Sequence, residues 1–342
     1  LSDNYLEVVS NDFKERQIPK PLRAIYLTGY TAGNLNRRQA LVKLVEETEL
    51  NALVIDIKDD SGYLSFLPET KELQAYNTGL TKIKDLDIFL SELKEKNIFV
   101  IGRISVFQDP LLAIRRPDLA IKDYQGNIWR DHKNLAWLDP SKKEVWHYVS
   151  LIAEESFRRG FDEINFDYIR FPSDGNIKTI LYSPEILLRR QADVLEDFFA
   201  FIKKESQRVG YITSADLFGL TTVNTDDLGI GQILEKAVSY FDYIAPMVYP
   251  SHYPVGFRGL SNPNHHVYQV VRYSMAEAIS RLELMGEDSQ KLRPWLQDFN
   301  YPITYVPQMV IDQKKAVYDS GLDSFMLWNP RNIYTRSALE IN

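Results

Sequence analysis

Eight short apolar runs recur along this chain, and each of the first seven is followed by a segment with helical spacing. The runs are Ala24–Thr28, Ala52–Ile57, Ile98–Ile104, a stretch within Phe161–Phe171, Tyr211–Leu217, Tyr243–Tyr249, Arg293–Gln297 and Ser324–Trp328. They are nearly continuously apolar, as strands buried on both faces of a parallel sheet must be. The helical segments are Asn36–Glu47, Asp85–Lys96, Ser141–Arg159, Leu187–Arg208, Ile230–Phe241, Val267–Leu284 and Val306–Ser320, with Ser141 as an N-cap and Glu144 three positions on. The alternation predicts an α/β chain closed into a (β/α)8 TIM barrel. An open doubly wound sheet would show fewer strands and a glycine-rich phosphate turn, and Gly29 and Gly33 do not form GxGxxG. The expected organisation is a polar lead-in over residues 1–20 and one barrel domain over 21–342. Two long connections, 59–84 and 105–140, follow the second and third strands, the latter with a hairpin at Asp123–Asn127. They fall at the C-terminal strand ends, where barrel active sites are built.

The informative polar residues end the strands. Strand two ends in Asp56 and Lys58, and strand three carries Arg103. Strand four reads GFDEINFDYIRFP and sets Asn165, Asp167 and Arg170 among apolar neighbours. Strand five ends in TSADLFG with Asp216, and strand six in APMVYP with Tyr249. Strand seven carries Trp295 and ends in Gln297 and Asp298; strand eight ends in Trp328 and Asn329. Carboxylates in such settings are costly unless paired or used. Side chains two apart share a face of a strand, so Asn165 and Asp167 point together into the barrel mouth, as do Ser214 and Asp216. Asp167 and Asp216, on adjacent strands, would form the carboxylate pair that glycoside hydrolysis requires. Each residue also has a structural reading: Asp167 paired with Arg103 or Lys58, Asp216 capping a loop before Gly219, Asp56 paired with Lys58, and Asp298 making a turn before Asn300.

Other chemistries lack their signatures. Cysteine is absent, which removes disulfides, thiolate metal sites and a cysteine nucleophile. The five histidines show no HxH or HExxH spacing, so neither a metal nor another cofactor is expected. No GxSxG occurs. Lys plus Arg is 40 against 47 Asp plus Glu, a net charge of −7, which argues against nucleic acid as a partner. No apolar run is long enough to cross a membrane. Aromatic residues make up 12%, enough to line a cleft that stacks on sugar rings.

The segment NLAWLDPSKKEVWHYVSLIAEESFRRGFDEINFDYIRFPSDG, with SADLFG, APMVYPSHY and FMLWNP, resembles a family of bacterial TIM barrels described as putative glycosyl hydrolases, over about Arg23 to Tyr334. The resemblance implies action on carbohydrate, with Asp167 of FDYIRFP and Asp216 of SADLFG as site candidates. Strand four also looks distantly like the family 18 chitinase signature, but the catalytic Glu of that pattern falls on Ile169. The same progression resembles retaining glycosidases whose fourth-strand Asp is the nucleophile. The resulting expectation is a glycoside hydrolase of a cell-surface or extracellular polysaccharide or oligosaccharide. Asp167 would be nucleophile or base and Asp216 general acid, with Asp298 in reserve. Asp56, Lys58, Arg103 and Asn165 would position Asp167 or sugar hydroxyls, Tyr249, Trp295 and Trp328 would stack on sugar, and Asp298 and Asn329 would complete the binding surface. Two alternatives are a carbohydrate-binding barrel without turnover and a metal-dependent deacetylase. Since the sequence starts at Leu1, a signal peptide or anchor is expected to have been trimmed upstream.

Overall fold

The computed structural model describes residues 17–342. Eight strands close into a barrel: β1 Arg23–Leu27, β2 Ala52–Lys58, β3 Phe99–Ser105, β4 Glu163–Asp167, β5 Ile212–Phe218, β6 Tyr243–Met247, β7 Trp295–Gln297 and β8 Phe325–Trp328. Each pairs in parallel with its neighbour in sequence, and β8 closes on β1. The expected barrel is therefore the observed one. Seven helices cover it: α1 Leu35–Glu46, α2 Leu86–Glu95, α3 Lys143–Arg159, α4 Gln191–Val209, α5 Leu234–Val238, α6 Val267–Leu284 and α7 Pro307–Asp319. After β8 a single 3-10 turn at Arg336–Ala338 takes the eighth helix's place.

The period of two along the strands sorts the residues into two cores. One set, including Ile25, Leu27, Leu53, Ile55, Ile164, Phe166, Ala215 and Leu217, packs under the helices. The other, including Ala24, Tyr26, Ala52, Val54, Phe99, Ile101, Ala245, Trp295 and Met326, fills the barrel interior. Continuing the inner set toward the C-terminal ends reaches Asp56, Arg103, Asn165, Asp167, Ser214, Asp216 and Trp328. The register aligns them: Asp56 is opposite Arg103, Arg103 opposite Asn165, and Asn165 opposite Ser214. At the opposite end of the barrel, the inward Glu163 is held by Arg293, 2.7 Å away, and both are buried.

Several element boundaries differ from expectation for identifiable reasons. Strand four stops at Asp167 because Tyr168 adopts a left-handed conformation, φ 53°. Ser141 does not cap α3: its hydroxyl and amide both donate to Asp139, and Lys142 takes the N-cap without a side-chain bond. Helix α3 ends at Gly160 and α4 at Gly210, each with positive φ, the left-handed cap that glycine adopts at least cost. Pro184–Leu187 forms a separate turn before α4, and α5 is shortened after Gly229 and Gly231, both of positive φ.

The predicted turn at Asp123–Asn127 is present, with Asp123 accepting from the amides of Gln125 and Asn127. Its strand Lys122–Asp123 pairs antiparallel with Ile180–Leu181 from the connection after β4. The Trp129 indole N–H donates to the Asn176 carbonyl and adds a second tie. Of the expected lead-in, residues 1–16 lie outside the described part, and Ile18 packs against the inner core.

Candidate active site

Arg103 is the hub of the barrel mouth. It is 5% exposed and enters from β3. Its Nη1 donates to Asp56 Oδ1 at 2.6 Å, while Nε and Nη2 both donate to Asp167 Oδ2, Nε at 3.2 Å. The same Nε lies 3.8 Å from Asp216 Oδ2. Burial opposes the arginine's charge, but Asp167, Asp56, Tyr26 and Asp216 together raise its pKa well above the ordinary value. Of the alternatives open for Asp167, the structure realises the pair with Arg103.

The two candidate carboxyls differ in their partners. Asp167 is 6% exposed; its Oδ1 accepts from the Tyr168 amide, which the left-handed turn at Tyr168 directs back toward it. Asp216 is 1% exposed, and its Oδ1 accepts from Asn165 Nδ2 at 2.9 Å and from the Trp295 indole at 2.8 Å. Burial, reinforced by the charge of Asp167, pushes Asp216 well above the usual carboxylate range, despite Arg103, Asn165 and Trp295. With Oδ1 occupied by donors, Oδ2 is the oxygen left without a hydrogen bond among the described residues. Because both Oδ2 atoms lie within 3.2 and 3.8 Å of one nitrogen, they can be no more than 7.0 Å apart.

Asp56 is buried between Arg103 and the Tyr26 hydroxyl, which donates to its Oδ2. Burial raises its pKa to about 6, against the opposing effects of Arg103 and Tyr26. Tyr26 is missing from the site residues expected from sequence, although it shares the inward face of β1 with Ala24 and a buried phenol needs a hydrogen-bond partner. Its ring stacks on Trp328 at 3.9 Å between centroids, with 16° between planes. Trp328 also receives the Arg103 guanidinium, 5.0 Å from its centroid, and is only half-buried.

Other expected site residues sit differently. Lys58 does not pair with Asp56 or reach the mouth. The β2–β3 register shifts between Asp56 and Lys58, turning the lysine away. It is fully buried, 2.9 Å from Asp109, and also bonds the Ser105 carbonyl. Gly62, φ 85°, presses on that pair: a Cβ there would sit 2.2 Å from Asp109 Oδ1. Trp295 is fully buried and presents its N–H to Asp216, so its ring is no sugar platform. Tyr249 is buried edge-on against Phe299 and His252. Asn329 organises the last loop, donating to the carbonyls of Asp298 and Ile333. Asp298 accepts from the Thr335 amide and hydroxyl, making it a fastening for the same loop rather than a reserve acid. Ile169, where the chitinase pattern would place its acid, is fully buried. Among the described residues no group of three His, Asp or Glu is arranged to hold a metal, and no helix is long and apolar enough to cross a membrane.

Asp298 allows a direct test of its burial. Its pKa is raised to about 6, chiefly by desolvation. The folded chain therefore holds this proton more tightly than the unfolded chain. The associated stability is complete below the unfolded value of about 4 and is lost as pH rises through the folded value. Asp298→Asn carries no such proton. Its melting temperature relative to wild type is expected to climb from pH 4 to pH 7, by the equivalent of at most about 3 kcal/mol. A constant difference over that range would contradict the assignment.

The model of the family described as Putative glycosyl hydrolase domain matches residues 24–334. This chain belongs to that family. Among solved structures, this family member is similar to a hypothetical protein from Ruminiclostridium thermocellum, at 37% identity over 60% of this chain and 98% of that one, TM-score 0.52. The PgaB (BpsB) glycoside hydrolase domain from Bordetella bronchiseptica aligns over 94% of this chain and 99% of its own, at 13% identity and TM-score 0.68. Alpha-L-fucosidase isoenzyme 2 from Paenibacillus thiaminolyticus aligns over 93% of this chain and 47% of its own, at 12% identity and TM-score 0.60. At those identities the last two share the fold. A comparison with curated proteins gives no match. The putative glycosyl hydrolase barrel thus joins a glycosidase-like fold to a carboxyl cluster at the C-terminal ends of its strands.

Proposed function

We propose that this barrel hydrolyses glycosidic bonds of an extracellular or cell-surface polysaccharide through Asp167 and Asp216. The observation that carries the reading is one guanidinium shared by two carboxyl groups of unlike surroundings. Asp167 is held by the guanidinium of Arg103, while burial and its proximity to Asp167 push the pKa of Asp216 well above the usual carboxylate range. Pairs whose environments push their pKa values apart supply an acid and a nucleophile or base from the same residue type. A ceiling of 7.0 Å admits the retaining separation of about 5–5.5 Å and only the short end of the inverting range of about 6.5–9.5 Å. We therefore assign double displacement. Asp216 Oδ2 gives its proton to the glycosidic oxygen as Asp167 attacks the anomeric carbon, forming a glycosyl ester. Asp216, now ionised, then takes a proton from water as that water displaces Asp167. Arg103 fixes Asp167 in place, Asp56 and Tyr26 hold Arg103, and Trp328 offers a half-buried ring to a sugar face.

Reducing-end release across a panel of bacterial and plant polysaccharides tests the reading. One glycan is expected to be cut, with the first product retaining the anomeric configuration by proton NMR. The alkaline limb of kcat/KM reports loss of the Asp216 proton and is expected well above the ordinary carboxylate range. The competing reading is a binding barrel without turnover, favoured by the buried Ile169 at the chitinase acid position. A glycan that binds but is never cut would establish it.

A further inference from the structure

Seven lysines and arginines of the described residues are buried, and six of them meet a carboxylate within ion-pair distance. The pairs are Arg38 with Asp85, Lys58 with Asp109, Lys82 with Asp59, Arg103 with Asp56 and Asp167, Arg293 with Glu163, and Lys314 with Glu49. Arg170 is the exception. It is 7% exposed and has no acidic partner among the described residues.

It is caged by rings at the rim between β4 and β5. Its guanidinium carbon lies 4.7 Å from the Phe218 centroid, 4.8 Å from Trp137 and 5.1 Å from Tyr168. Nη1 donates to the Phe171 carbonyl and Ser173 hydroxyl, which ties down the turn after β4. Nε and Nη2 make no hydrogen bond to the described residues and are not sealed from solvent. The acids whose charge reaches it from further off are already engaged: Asp167 with Arg103, Asp131 with Gln108 and Trp137, Asp174 with the His132 amide. A loop clamp needs one donor nitrogen and no charge. A desolvated, unneutralised guanidinium with one planar edge free is what a bidentate anion site requires.

We propose that Arg170 binds the carboxylate of an acidic sugar, so that the glycan of this site contains uronic acid residues. This rests on the glycosidase reading for its location beside Asp167. The free Nε–Nη2 edge takes both oxygens of the sugar carboxylate, and the flanking rings of Tyr168 and Phe218, each half-buried, cover its apolar face.

Matched polymers test it: polyuronates, among them polygalacturonate and polyglucuronate, beside the neutral polymers made from them by carboxyl reduction. Binding is measured by calorimetry with Asp167→Asn protein, so that polymer is not consumed. At least one polyuronate is expected to bind about tenfold or more tightly than its reduced form, the effect of a charge-assisted bidentate bond. Arg170→Gln is expected to bring that ratio to within about twofold, with Arg170→Lys between them because an ammonium cannot fork. Equal binding of acidic and neutral forms, a ratio untouched by Arg170→Gln, or no binding of any polyuronate would overturn the proposal. If Arg170→Gln does not fold, the acid-to-neutral ratio and competition by free galacturonate against galactose decide it. The two readings fail separately: retained acid preference without cleavage sinks only the hydrolase assignment, and cleavage of neutral glycans alone sinks only the uronate site.

Discussion

Asp167→Asn is expected to lower turnover of the glycan this barrel cuts by at least about a thousandfold, the scale of removing a group that reacts with substrate. The change is nearly isosteric. The side-chain oxygen can still accept from the Tyr168 amide, and Arg103 keeps Asp56 as a partner. The melting temperature should therefore move far less than the activity. A second readout separates a catalytic role from general damage. The charge of Asp167 is one of the causes that raise the pKa of Asp216, so its removal lowers that pKa. The alkaline limb of residual activity is expected to move to lower pH. A loss below about tenfold, with an unmoved limb, would remove Asp167 from the chemistry.

Arg103→Met is expected to cost about 3–5 kcal/mol of stability at neutral pH, as breaking a buried pair does. The methionine fills similar space but leaves Asp56, Asp167 and Asp216 without a cation in a desolvated ring. The sign with pH is fixed. Without the guanidinium the folded-state pKa of Asp56, already raised to about 6 by burial, rises further, and Asp216 loses one of the charges that hold its own down. The stability linked to their protons is present in acid and lost as pH rises through the folded values. Urea midpoints at pH 5 and pH 8 should therefore show a larger deficit at pH 8. Equal deficits, or a deficit under about 1 kcal/mol, would mean that the cluster does not depend on Arg103.

Fold and site were legible to different depths. Eight apolar runs were enough for the barrel, because strands buried on both faces carry their signature in consecutive residues. The period of two was also enough to place Asn165 and Asp167 together, and Ser214 with Asp216. What a single strand cannot reveal is what lies across the mouth. Lys58 departs from its expected place because a register shift between β2 and β3 turns it onto Asp109. Trp295 departs from the expected sugar platform because nothing local in the sequence shows that its N–H meets an acid 79 positions earlier in the chain. Tyr26 has only the inward signal of its place near Ala24, and the sequence marks Arg170 as polar among apolar neighbours but does not encode its lack of an acidic partner among the described residues.

The short ladder between Lys122–Asp123 and Ile180–Leu181, with the Trp129–Asn176 bond beside it, bears on traffic into the barrel. These segments belong to the excursions after β3 and β4, the strands that carry Arg103 and Asp167. Stitched at these and further points, among them the His132 amide to Asp174 and the Ser141 and Ser183 hydroxyls, the excursions are one wall and not two flaps. Neither can swing aside to admit a bulky chain without dragging the other, and together they flank the pair that must stay aligned. A long polymer is better received over a fixed wall than through a door, and the adaptable side of the entrance then falls to the segments not sewn into it.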